Sequence, residues 1–425
     1  MTAPVAVPGG QSRMARRIGM LLAVAVFINY VDRGNLATAA PVVQHEFHLS
    51  ASQLGILLSS FYWTYAISQI PAGWLAERFR VERVVAVGFA IWSVATLLTG
   101  FAGGFATLLA LRLMLGLGES VAFPCSSKML ATHVDIDRRG RANGAVSMGL
   151  AAGPAFGTFV GGMILARFGW RPLFVSLGAL SLLWLWPWIT GPVRNLSLAC
   201  APDPIQSPSY AEIIRRRGAV GAALGHFCCN YGFYIVINWL PLYLVQERGF
   251  SIAQMSVLGG AIYLMQAGGA FAGGWALDRW IRAGATPNRA YKTTIIGSQT
   301  ATAICLVGAI WAPPLASSVF LLLAGACFGP GSTTLYAIGQ TLSGPAAAGR
   351  WMAFQNGVGN LAGILSPAIT GFLVDRTGHF YSAFALAITV MGIGVASWIA
   401  VVPRIAPLDW TTQRRIPPNG IPEAA

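Results

Sequence analysis

The sequence predicts an all-α polytopic membrane protein: twelve crossing helices in two pseudo-symmetric bundles of six. Three observations carry this. Of the 425 residues, 55% are hydrophobic and only 10% charged, with a mean hydropathy of +0.61, whereas soluble domains carry roughly 25% charged residues. Apolar runs of about 20 residues, the length that crosses a bilayer as a helix, recur twelve times. One polar loop occurs twice, as "GWLAERFRVER" from Gly73 and "GWALDRWIRAG" from Gly274, 201 residues apart and at the same place in successive sets of six runs.

Taken in order, the first six runs fall at 17–40, 52–75, 83–102, 105–128, 141–166 and 170–190, and the second six at 218–244, 254–276, 291–312, 315–340, 350–374 and 380–402. The expected organisation is therefore a tail over 1–16, a six-helix bundle over 17–190, a polar linker over 191–217 centred on "CAPDPIQSPS", a second bundle over 218–402, and a tail over 403–425. The net charge of +14 raises nucleic-acid binding, but the basic residues follow the membrane instead. They crowd the N-terminal tail (Arg13, Arg16, Arg17), every even-to-odd connection (Arg78, Arg80 and Arg83 in the first) and the C-terminal tail. The opposite side holds only Arg167, Arg171, Arg248 and Arg376, and Arg33 and Arg112 lie within helices. By the positive-inside rule both termini are expected in the cytoplasm.

Several function classes drop out. No G-x-x-x-x-G-K-[ST] phosphate loop is present, and no H-E-x-x-H or Ser-His-Asp arrangement stands out, so neither ATP-driven work nor enzymatic catalysis is expected. The six cysteines show no C-x-x-C spacing, and neither a metal nor a disulfide framework is implied.

The charges within the helices are the informative exceptions. Asp32 and Arg33 interrupt the first run in "FINYVDRGNLATAAP", and Arg112 and Glu119 lie in "LRLMLGLGES" of the fourth. A charge at the bilayer centre costs about 2.5–3.5 kcal/mol on insertion scales, so it persists where it faces a cavity or a partner. Arg112 and Glu119 are seven residues apart, about two helical turns, and share a face; Gly116 and Gly118 between them leave room for a neighbouring helix. A carboxylate whose access to water changes can gain and lose a proton, and an Arg in the same cavity offers a fork suited to a carboxylate or phosphate. The plainer alternative is two satisfied ion pairs, Asp32 with Arg33 and Arg112 with Glu119.

The second half offers uncharged polar groups. Asn230, Tyr234 and Asn238 form one stripe of the seventh run, and Gln355, Asn356 and Asn360 nearly one face of the eleventh. Such groups bind hydroxyls without adding charge, or bond helices to one another. Tyr336, Thr333 and Gln69 are weaker candidates, and His226 is read as structural.

The duplicated loop, twelve runs and central linker resemble the major facilitator superfamily over nearly the whole chain. The resemblance implies a transporter in which the loop residues Gly73, Glu77 and Arg78, with Asp278 and Arg279 in the second copy, form a cytoplasmic latch that favours the outward-open state; Glu77 stands where the family more often has Asp. "NYVDRGNLATAAP" and "RLMLGLGES" resemble the anion:cation symporter branch, carriers of hexuronate, galactonate and sialic acid. That resemblance implies Asp32 and Glu119 as proton-coupling sites, Arg33 and Arg112 as substrate-binding or carboxylate-organising groups, and Tyr30 and Tyr65 as aromatic pocket positions. "NWLPLYL" is similar to the "TWLPTYL" of sugar-acid carriers, with Asn238 as a departure. The implied function is proton-coupled uptake of a small organic anion, with protons as coupling ion and no cofactor, by a monomer in a plasma or bacterial inner membrane. An exporter or antiporter of drugs or metabolites is the alternative, because "GLAAGPAFGTFVGG" from Gly149 resembles a motif common in superfamily antiporters.

Overall fold

A computed structural model describes residues 9–133, 136–191 and 208–410. The described residues form thirteen α-helices and one π-helical turn, with no strand among them. Helices α1 (Gly9–Glu46), α2 (Ala51–Arg78) and α3 (Val81–Thr99) are followed by α4 (Phe105–Glu119) and α5 (Ala122–His133), then α6 (Ile136–Phe168) and α7 (Trp170–Thr190). After the linker come the short α8 (Tyr210–Ile214), α9 (Arg217–Gln246), α10 (Ile252–Arg282), α11 (Pro287–Trp311), α12 (Pro314–Thr377) and α13 (Tyr381–Ala396), which runs into the π-turn Ser397–Val401.

Two departures from one helix per crossing have local causes. Pro124 has no N–H to offer the carbonyl of Ser120 and its ring crowds that carbonyl, so the fourth crossing breaks into α4 and α5 at Ser120–Val121. The 64-residue α12 is two crossings joined at Gly344, where φ is +61°. Gly344 precedes Pro345; a residue before proline avoids the α region, and glycine takes a positive φ without a Cβ penalty.

Counting α4 with α5 and dividing α12, the crossings are the twelve expected. Among the described residues, eleven helical spans are long and apolar enough to cross a membrane; α2 has the length but carries more polar residues. Helix α1 begins at Gly9, inside the expected tail, and the "CAPDPIQSPS" centre of the linker lies outside the described residues. The surface is that of a membrane protein: Leu180, Leu183, Trp186 and Ile189 of α7 form an exposed apolar stripe.

The halves meet at the end of the molecule remote from the termini. The backbone of Gly55 packs on Pro367, Gly371 on Ala51, Gly259 on Thr158 and Gly260 on Phe159, so that α2 seats against α12 and α6 against α10. Hydrogen bonds join them at the same end: Gln246 Nε2 donates to Gln44 Oε1 (2.9 Å), and the N–H groups of Ala51 and Ser52 donate to the two carboxylate oxygens of Asp375 (2.7 Å each).

Candidate functional site

Glycines build the site before any charge enters it. Gly116 of α4 lies directly on the backbone of Phe61 in α2, and Gly118 on Gly88 and Trp92 in α3. A β-carbon at either position would force these helices apart. Thr64 Oγ1 donates to Leu113 O (2.8 Å), fastening α2 to α4. Wedged between α2 and α3, α4 delivers Glu119 and Arg112 to the interior, 0% and 4% exposed.

Gly149, Gly153 and Gly157 perform the same service for α6. They pack on Ala23, on Phe27 and Tyr30, and on Val31, bringing α6 flush against α1. The antiporter-like stretch is thus accounted for by close helix packing.

The ion pair that forms is neither of those the spacing suggests. Arg33 Nε donates to Glu119 Oε2 at 3.0 Å, joining α1 to α4. Asp32, beside Arg33 in sequence, points elsewhere; its Oδ1 accepts from Asn35 Nδ2 (3.1 Å). Arg112 makes no ion pair among the described residues, although Asp32 and Glu119 are both within its electrostatic reach.

Aromatic rings complete the setting. The Arg33 guanidinium lies 4.4 Å from the ring centre of Tyr65, 4.6 Å from Tyr30 and 5.2 Å from Phe61, and Arg112 lies 5.2 Å from the same Phe61 ring. Tyr30 and Tyr65, the aromatic positions that the resemblance implies, flank the Arg33 guanidinium.

Buried polar atoms normally have partners. Here Asn29 (both side-chain atoms), Asp32 Oδ2, Arg33 Nη2, Arg112 Nε and Glu119 Oε1 have none in the protein. Each such atom costs about 1–3 kcal/mol when left unpaired in a dry interior.

The candidates of the second half divide. Tyr234 Oη donates to Asn360 Oδ1 (2.8 Å), Asn230 Nδ2 to Gly359 O (3.1 Å) and Asn238 Nδ2 to Tyr234 O (2.8 Å). Gln355 is fully buried, accepts from Trp351 Nε1 (2.9 Å) and reaches Leu335 O. Tyr234, Asn230 and Gln355 thus tie crossings together, whereas Asn238 bonds back to its own helix. Asn356 is half-buried, and no hydrogen bond among the described residues occupies its side-chain amide.

Two contributors escaped sequence reasoning. Tyr62 packs its ring on the backbone of Gly363 and meets Tyr234 edge to face at 4.7 Å, bridging the halves above the Arg33 cluster. Phe61 carries both guanidiniums. Neither is distinguishable in sequence from the other aromatic residues of "FYWTY".

At the repeated loops, Arg78, Asp278 and Arg279 are exposed and Gly73 stands clear of neighbours; the side chain of Glu77 lies outside the described residues. Arg279 rests over Trp275 at 5.8 Å. No inter-half ion pair forms there among the described residues.

Comparison with known proteins settles the family. The family model described as Major Facilitator Superfamily matches residues 22–367. This chain belongs to the major facilitator superfamily. It is 30% identical to the hexuronate transporter of Bacillus subtilis, covering 92% of this chain and 94% of that protein. A probable sulfoacetate transporter of Cupriavidus necator is 28% identical over 90% and 93% of the two chains. Among solved structures, a D-xylose–proton symporter has a TM-score of 0.74 at 14% identity, covering 92% of this chain and 98% of its own; this likeness shows the fold. The family and these relatives are transporters and not enzymes, and the relatives agree with the anion:cation symporter resemblance. The protein is a multi-pass membrane transporter of this superfamily.

Proposed function

We propose that this transporter takes up a small organic acid anion together with protons by alternating access, and that the anion is a sugar acid such as an aldonate, uronate or aldarate. The observation that carries the reading is the buried Arg33–Glu119 pair inside its aromatic frame, with Arg33 Nη2 and Glu119 Oε1 left without protein partners.

The chemistry follows from competition for one cation. While Glu119 is ionised it occupies the guanidinium. Once Glu119 takes up a proton, Arg33 is free to bind a substrate carboxylate through its fork, so that proton and anion enter the cavity together without net charge. Asp32 lies within electrostatic reach of Arg112 without an ion pair between them, and is a further proton site. The free amide of Asn356 contacts substrate hydroxyls from the other half.

With the termini in the cytoplasm, as the basic residues favour, the sealed end is external and the conformation faces inward. The membrane is then a plasma or bacterial inner membrane. The relatives named as hexuronate and sulfoacetate transporters support an anionic substrate.

The test is uptake of radiolabelled galactonate, glucuronate, glucarate and an aromatic acid into proteoliposomes under an inward proton gradient. Accumulation of one acid that collapses with a protonophore and in Asp32→Asn supports the reading. No gradient-driven uptake of any acid, with outward drug transport instead, overturns it.

A further inference from the structure

Residues 32 and 33 serve different compartments. Arg33 meets Glu119 and the aromatic frame, whereas Asp32 lines a separate cavity of about 140 Å³ between α1, α6 and α7, together with Phe27, Val31, Phe156, Leu180 and Ser181. Asp32 is only 2% exposed, and its Oδ2 has no protein partner. The Thr96 hydroxyl of α3 is close enough to interact with the Asp32 carboxylate, but no hydrogen bond of normal length and angle joins it to Oδ2. Leu180 (60% exposed) and Phe156 (44% exposed) rim the mouth. Leu180 belongs to the apolar stripe of α7 that faces the acyl chains, so the cavity opens toward the bilayer and not toward the centre between the halves.

The walls select the occupant. A cavity near this size accepts a benzene ring. A chain of waters needs two to four polar partners per molecule, and these walls offer one carboxylate oxygen and the Ser181 hydroxyl. A wholly apolar occupant would leave Oδ2 unpaired, at the cost of a buried unsatisfied charge. An apolar ring ending in a cationic N–H donor meets both demands, and Phe27 and Phe156, with ring centres 5.3 Å apart, add aromatic faces that attract a cation.

We propose that this cavity is a membrane-side binding site for small lipophilic ammonium ions of benzylammonium size, whose N–H donates to Asp32 Oδ2. A bound ammonium occupies the carboxylate and inhibits gradient-driven uptake. That consequence rests on the reading of Asp32 as a proton site; the binding itself does not.

The purified full-length protein, free of substrate and gradient, is titrated calorimetrically with benzylammonium chloride, and with benzyl alcohol as the uncharged body. Saturable binding is expected, at least tenfold weaker for benzyl alcohol and in Asp32→Asn. Binding is lost in Leu180→Trp, which fills the mouth from an exposed position, and in Ser181→Leu, which fills the inner wall. No binding to the wild type, or equal affinity in the wild type and Leu180→Trp, overturns the site. Binding that persists while no acid is accumulated under a proton gradient leaves the site standing and removes the uptake reading.

Discussion

Arg33 is held by four neighbours of different chemistry: a carboxylate and three aromatic rings. Removing two charges from water costs several kcal/mol per ion, which their attraction repays only with good geometry. A pair with unpartnered atoms on both sides is therefore a poor stabilising device and a good exchangeable one. Replacing Glu119 by Gln keeps the shape while removing the titration. Gradient-driven accumulation in proteoliposomes should fall at least tenfold while counterflow exchange is retained; equal loss of both would make Glu119 structural. Arg33→Ala leaves Glu119 buried and unpaired, a defect of about 3–5 kcal/mol, so affinity is best read in Arg33→Ala combined with Glu119→Gln. Substrate titration of that protein should show no binding, and unchanged affinity would remove Arg33 from the substrate site.

At the scale of elements, glycine faces decide which helices touch and two carboxylates decide how ends are held. Gly116 and Gly118 sink α4 between α2 and α3, and Glu46 holds α7 through Trp170 Nε1 and Arg171 Nη1 (2.6 Å each). Asp375 acts across the halves: from the end of α12 it accepts from the first N–H groups of α2, which an isolated helix leaves without partners. Caps of this kind are worth about 0.5–2 kcal/mol. Asp375→Ala should therefore open the sealed end more often, about 2- to 30-fold by that figure. Spin labels at Gly103 and Arg376 would report it as a longer inter-half distance, and an unchanged distance distribution would show that the cap does not hold the halves.

Over the whole molecule, every described hydrogen bond between the halves clusters at one end, while the deep charges all belong to the N-terminal half. On the proposed mechanism, the N-terminal half holds the titrating charges and the second half moves against it, as halves related by parallel repeats do. Linking Gln44→Cys to Gln246→Cys with a bifunctional thiol reagent should abolish uptake by preventing the sealed end from opening. Reductive cleavage of the linker should restore it; transport that survives the link would mean the halves need not part there.

Much of this was written in the chain itself. Composition, run length and the asymmetry of Lys and Arg are one-dimensional quantities that the bilayer reads directly, so they determined a membrane protein of twelve crossings. The loop repeated 201 residues apart determined two halves, and the cost of a charge in lipid singled out Asp32, Arg33, Arg112 and Glu119. Partnership was decided elsewhere. Spacing along one helix offered Arg112 to Glu119, whereas closure of the bundle, with α4 wedged between α2 and α3, gave Glu119 to Arg33 and turned Asp32 toward α6 and α7. The stripe of Asn230 and Tyr234 was legible as polar, but only its contact with Gly359 and Asn360 of α12 showed those groups already engaged. Periodicity fixes the face a side chain occupies on its own helix; which helix lies opposite depends on the close approaches at glycines such as Gly116 and Gly153, and these exist only once the bundle has closed.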